Sequence, residues 1–247
     1  MRKIPLIFSG IVSLVILLVA CSKADTTATG QTVYTAVATA FGAQIDLNNL
    51  ANYAAQSKPA YITKDNTGNN PIINAKATLG RVLFYDKKLS IDNTISCASC
   101  HKQAFAFSDN QLVSTGVAGG KTDRHSMRLV NERFGVETKF FWDERAASLE
   151  SQTTQPIADH NEMGFSGQAG RVGIAALLTK LQGVDYYNEL FKFVYGDITV
   201  TEPRLQECLA QFVRSIQSFD AKYDMGRSQV NNDRQPFPNF TAQENTG

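Results

Sequence analysis

Apolar residues recur along this chain at the three- and four-residue spacing of helices, and no segment alternates well enough for a convincing strand. The clearest run is 202–223, where Leu205, Leu209, Phe212, Val213, Ile216 and Phe219 form one continuous stripe. Thr201 is placed to cap its start, and Pro203 suits the first turn. Cys208 lies on the same stripe and reads as a small buried hydrophobe rather than a reactive thiol. Val172 to Leu181 predicts an amphipathic helix through Ile174, Leu177, Leu178 and Leu181, and Tyr186 to Tyr195 a shorter aromatic one. Ala75 to Tyr85 gathers Leu79, Val82, Leu83 and Phe84 toward one side, and Gly80 there lets another backbone approach closely. A further helix is expected from Ala146 through Leu149 and Gln152 to Pro156.

The intervening stretches 64–71, 108–121 and 159–170 are rich in turn residues and are expected as loops. Residues 45–61 carry a weaker pattern that stops near Pro59, suiting a short helix or a packing arm. No internal repeat is evident. The expected fold is mainly α, with long irregular loops that carry function.

The start of the chain has a different character. Arg2 and Lys3 precede an apolar run from Ile4 to Ala20, which ends Leu18-Val19-Ala20-Cys21 and resembles a bacterial lipoprotein signal. Residues 1–20 would be the signal peptide, and Cys21 would be lipidated as the first mature residue. An ordinary cleaved signal or an uncleaved anchor are the alternatives, but seventeen residues barely span a bilayer. The polar Ser22-Lys23-Ala24-Asp25 run after the cysteine favours the lipoprotein. Residues 21–44, rich in Thr and Ala, read as a tether, and the expected location is the periplasm, anchored through Cys21.

Composition narrows the function classes. The 247 residues are 43% hydrophobic with a formal net charge of +1, enough for one large domain and without the basic excess of a nucleic-acid binder. Loss of residues 1–20 would leave 22 basic against 23 acidic residues, a charge of −1. Four cysteines, Cys21, Cys97, Cys100 and Cys208, do not form a disulfide framework.

Two of them lie in Cys97-Ala98-Ser99-Cys100-His101, a C-x-x-C-H motif that reads as an attachment site for haem c. Two thiols at this spacing can form thioethers to the haem vinyl groups, and the adjacent imidazole can ligate the iron from the proximal side. Half of a zinc site would need further Cys or His ligands, and a thioredoxin-like pair would need a βαβ setting that this sequence lacks.

Around that motif stand Leu79-Gly80-Arg81-Val82-Leu83-Phe84-Tyr85-Asp86, Leu89-Ser90, Phe141-Trp142-Asp143-Glu144-Arg145-Ala146, Leu149-Glu150-Ser151-Gln152, Pro156-Ile157 and Glu162-Met163-Gly164. Together, in this order and spacing over residues about 76 to 226, they resemble the bacterial di-haem cytochrome c peroxidase family, which includes the MauG-type enzymes. The resemblance implies a cytochrome-c-like helical domain over 45–235 that carries the peroxidatic haem on Cys97 and Cys100, with His101 as proximal ligand. It implies Glu162 as the distal acid/base, Gln152 as a distal group that orients peroxide, and Trp142 as a conduit for electrons between two haems. Its partners would be hydrogen peroxide and a small electron donor such as a c-type cytochrome, with a homodimer as a further option.

Three departures qualify it. Ser114 to Gly120, where several family members supply a distal histidine, contains none, and Val117 falls near that place. An iron open to peroxide without prior reduction is the expectation. His125 stands where the family often has an Asn that binds interdomain calcium; it reads first as a hydrogen-bonded structural histidine, which weakens the case for calcium. Only one C-x-x-C-H is present, and Phe240 to Asn245 resembles the entry to a second haem half, so 236–247 is expected to begin a domain that carries the second haem. Two rival functions remain at this point: a mono-haem electron carrier, with Met127, Met163 or His125 as second axial ligand, and a MauG-like oxidase of a protein substrate.

Overall fold

A computed structural model describes residues 32–136 and 138–246. The leader and Cys21, on which the lipid-anchor expectation falls, lie outside the described residues. Eight helices carry the described part: α1 Thr35–Phe41, α2 Asn74–Tyr85, α3 Cys97–Cys100, α4 Leu149–Ala158, α5 Ile174–Gln182, α6 Asp185–Tyr195, α7 Glu202–Arg214 and α8 Lys222–Arg227. Among the described residues, β-pairing is limited to four isolated bridges, each pinching a loop.

α7 is the spine. Its stripe of Leu205, Cys208, Leu209, Phe212 and Val213 is buried against α2 and α4. The Thr201 hydroxyl accepts from the Arg204 amide, as a cap should. α2 crosses so closely that a Cβ on Gly80 would stand 1.9 Å from the Cys208 carbonyl oxygen, so only glycine fits there. Arg214, buried at the end of α7, pairs with Glu150 at the start of α4, with Asn66 and Asn70 supplying further hydrogen bonds to this pair. A buried ion pair saturated in this way fixes geometry more than it adds stability.

The helix expected over 202–223 is shorter. α7 ends at Arg214, and the chain runs irregularly through 217–221 before α8. Ser215 explains the stop, because its hydroxyl turns back to the Phe212 carbonyl and competes with the backbone ladder. Part of the stretch read as a tether is ordered: the first amides of α1, Ala36 and Val37, donate to the Glu189 carboxylate on α6 at 3.0 and 2.9 Å. Residues 45–61 form a turn-rich arm that buries Ile45 and Leu47.

Candidate functional site

The C-x-x-C-H motif forms α3, a single turn. The Ser96 amide donates to the Ser99 hydroxyl at 3.0 Å, and the His101 amide closes the turn on the Cys97 carbonyl at 2.9 Å. Ala106 and Phe107 then take left-handed backbone angles, and the Lys102–Ser108 bridge closes the reversal. This reversal brings the Phe107 carbonyl to 2.9 Å from His101 Nδ1. A carbonyl can only accept, so Nδ1 carries the proton and Nε2 keeps its lone pair for a metal. Burial pushes the His101 pKa down, which holds the ring neutral. Burial also pushes Cys97 up to about 12 and raises Cys100, so both are neutral thiols here. No group of three or more His, Cys, Asp or Glu able to hold a metal occurs among the described residues.

These residues open onto a cavity of about 870 Å³. Phe84, Leu149, Leu209 and Val213 supply its apolar lining, and Trp142, Gln152 and Glu162 line it as well. The cavity therefore gathers all the site residues expected from the sequence, apart from Cys21.

Glu162 is held by its backbone. Its amide donates to Asp159 Oδ1 at 2.9 Å, its carbonyl accepts from the Val117 amide at 3.0 Å, and the Met163 carbonyl accepts from the Ile91 amide at 2.9 Å. Close approach makes this stitching possible: a Cβ on Gly116 would lie 1.9 Å from the Asn161 carbonyl. Burial first, then the Asp159 charge, raise the Glu162 pKa to about 7 against the opposing charge of Arg145. Val117 is 1% exposed and does not line the cavity, so the loop that could have carried a distal histidine instead props the glutamate.

Trp142 is not a core tryptophan. It is 58% exposed, and its Nε1 donates to the His125 carbonyl at 2.9 Å. Its turn, closed by the Phe140–Ala146 bridge, holds Phe141 and Glu144 at positive φ, a strained arrangement for residues with a Cβ. Arg145 stacks 3.5 Å from the centre of the Phe141 ring and shares Asp143 with Arg124. His125 is tied through both ring nitrogens, to the Gln111 carbonyl at 2.8 Å and the Ser108 hydroxyl at 3.1 Å, as a structural histidine would be. His160, in the loop expected over 159–170, is half-buried, with Nδ1 3.0 Å from the Ser166 hydroxyl.

The family model for di-haem cytochrome c peroxidases matches residues 74–232, a span holding every cavity residue named above. The chain belongs to the di-haem cytochrome c peroxidase family. Methylamine utilization protein MauG of Methylophilus methylotrophus is 32% identical over 155 residues, which are 63% of this chain and 44% of that protein. Cytochrome c551 peroxidase of Nitrosomonas europaea is 31% identical over 148 residues, 60% of this chain and 42% of that protein. The chain thus spans less than half the length of these relatives. A solved MauG-like protein associated with microbial copper homeostasis gives a TM-score of 0.57 at 30% identity, covering 73% of this chain and 52% of that one. The diheme peroxidase BthA from Burkholderia thailandensis gives 0.54 at 21% identity, covering 75% and 48%, a likeness that speaks for the fold.

Haem c is the cofactor this family implies, and the residues present fit it. Cofactor sites run to roughly 300–1,000 Å³. This cavity falls in that range, with two thiols and the His101 imidazole at one side. Sequence reasoning missed the groups that set these side chains up. The Phe107 carbonyl, Asp159 and Arg145 each act on a named site residue, and the Asp-x-x-Glu spacing of 159–162 was the one readable signal for any of them.

Proposed function

We propose that this chain carries the peroxide-reacting haem c of a cytochrome c peroxidase, held through Cys97 and Cys100 and ligated by His101. What carries the reading is Glu162, a half-buried carboxyl on the wall of the His101 cavity with its pKa pushed to about 7. A group so placed suits both halves of a proton relay.

Bound haem supplies the redox centre at which the O–O bond of hydrogen peroxide is broken. Ionised Glu162 would take the proton from one peroxide oxygen and return it to the other, which leaves as water. Gln152 orients the peroxide by hydrogen bonding. Arg145 favours the ionised form of Glu162. Trp142, at the cavity rim, would pass electrons inward from a reduced c-type cytochrome or similar donor. The periplasm, with a lipid on Cys21, is the location that suits haem c attachment.

The test is consumption of hydrogen peroxide by the haem-loaded chain with reduced cytochrome c as donor. Oxidation of two donor molecules per peroxide supports the reading. A six-coordinate low-spin ferric haem that ignores peroxide contradicts it and favours an electron carrier, with Met127 or Met163, both of which line the cavity, as second ligand. A second reading, peroxide-driven oxidation of a protein substrate, is favoured by Val117, because the 114–120 loop brings no imidazole toward the iron. Modification of an added protein in place of donor turnover would select it.

A further inference from the structure

Asp86, Tyr186 and Tyr187 form a cluster that the mechanism above does not use. Asp86 follows α2 directly, and its Oδ1 accepts from the Lys88 amide at 2.8 Å. Its Oδ2 accepts the phenol hydrogens of both Tyr186 and Tyr187, the second at 2.8 Å. The two rings lie 4.7 Å apart between centroids. Tyr187 is fully buried, in the core against which Cys97 packs. Tyr186 is half-buried, edge-on to Phe41 at 5.1 Å. The pair therefore runs from beside a haem-bearing cysteine toward the surface.

A purely structural tyrosine pair would need only some acceptor for each hydroxyl. Here one carboxylate oxygen serves both. Burial and the Asp86 charge push both phenols well above their usual range, so neither supplies a phenolate. An electron can then leave either ring at low cost only if its proton leaves with it, and the hydrogen bond to Asp86 provides that transfer. The Lys88 ammonium, 5.4 Å from the centre of the Tyr186 ring, disfavours a ring cation. Tyr61 makes a similar hydrogen bond to Asp224 at 2.6 Å, but beside α8 and away from this core.

We propose that Tyr187, Tyr186 and Asp86 are a proton-coupled relay that drains oxidising equivalents from the haem when peroxide arrives and no donor does. The oxidant rests on the peroxide reading above. Tyr187 gives one electron to the peroxide-oxidised haem centre, which is reduced by one, and its phenol proton passes to Asp86 Oδ2. The neutral tyrosyl then takes an electron from Tyr186. Asp86 returns its proton to Tyr187 and accepts the one from Tyr186, so charge and protons balance and the radical moves outward.

Freeze-quench electron paramagnetic resonance of the haem-loaded chain tests this with two oxidants, each without donor. One is hydrogen peroxide; the other is photochemical oxidation by a ruthenium sensitiser, which needs no peroxide chemistry. The expected result is a radical whose hyperfine structure collapses when ring-deuterated tyrosine is incorporated. The signal should fall to near baseline in the Tyr186→Phe/Tyr187→Phe double variant and in Asp86→Asn, and persist in Tyr195→Phe. Circular dichroism checks that each variant is folded, and the phenylalanine replacements keep the ring packing. An undiminished signal in the folded double variant, or no tyrosyl signal with either oxidant, overturns the relay. A relay signal under light alone, with a haem spectrum unmoved by peroxide, upholds the relay and instead sinks the peroxide reading.

Discussion

His101 and Glu162 line one cavity, but the chain builds the two positions by different means. The histidine is set locally: one turn of helix, a left-handed reversal and a carbonyl six residues on fix its tautomer. The glutamate is set from a distance, its loop held by the Ile91 amide 72 residues away and the Val117 amide 45 residues away. Local fixation can be carried by a short motif. Remote fixation depends on glycines that let three loops touch, and it fails when any of them is pushed aside.

The largest expected effect falls on the local side. Replacing both Cys97 and Cys100 with Ala should abolish covalent haem, read as loss of the haem band on a denaturing gel, and no change on the distal side should do so. Gly116→Ala should do the reverse. Its Cβ has no room beside the Asn161 carbonyl, and forced shifts of this kind cost about 1–3 kcal/mol. Reaction with peroxide should drop with haem attachment intact, as measured by stopped-flow absorbance and haem content. Equal loss of both would erase the contrast between the two sides.

This division also explains how far the sequence could be read. The stripe on α7 and the Gly80 contact are matters of periodicity and size, and helices 2, 5, 6 and 7 stand within a few residues of their expected starts. The motif announces its own chemistry because its spacing is its geometry. Glu162 and Trp142 were visible only through the family resemblance, since a glutamate in a polar loop and a lone tryptophan carry no local sign of a cavity. The early stop of α7 turned on one serine hydroxyl, a competition that an apolar stripe does not register. The Asp86 tyrosine pair joins residues about 100 apart and had no signature at all.

Two smaller effects sharpen the comparison. Arg145→Gln removes a cation that favours ionised Glu162, so the pH midpoint for reaction with peroxide should move upward from about 7, leaving haem attachment unchanged. A downward shift would mean that Arg145 acts chiefly by holding the Phe141 turn. Trp142→Phe removes one exposed hydrogen bond to the His125 carbonyl, worth about 0.5–1.5 kcal/mol at most. It should lower donor-dependent turnover more than the first reaction with peroxide.

The central claim is that Glu162 is the proton relay of this cavity, and the pH dependence of the stopped-flow reaction with hydrogen peroxide measures it directly. In the unmodified haem-loaded chain the rate constant should rise with pH through a midpoint near 7, because only the ionised carboxyl can accept the proton. Glu162→Gln should lower it by about 10²–10⁴-fold and flatten the profile, with an unchanged ferric haem spectrum. A Glu162→Gln protein that reacts at the unmodified rate, with the same midpoint, would contradict the account.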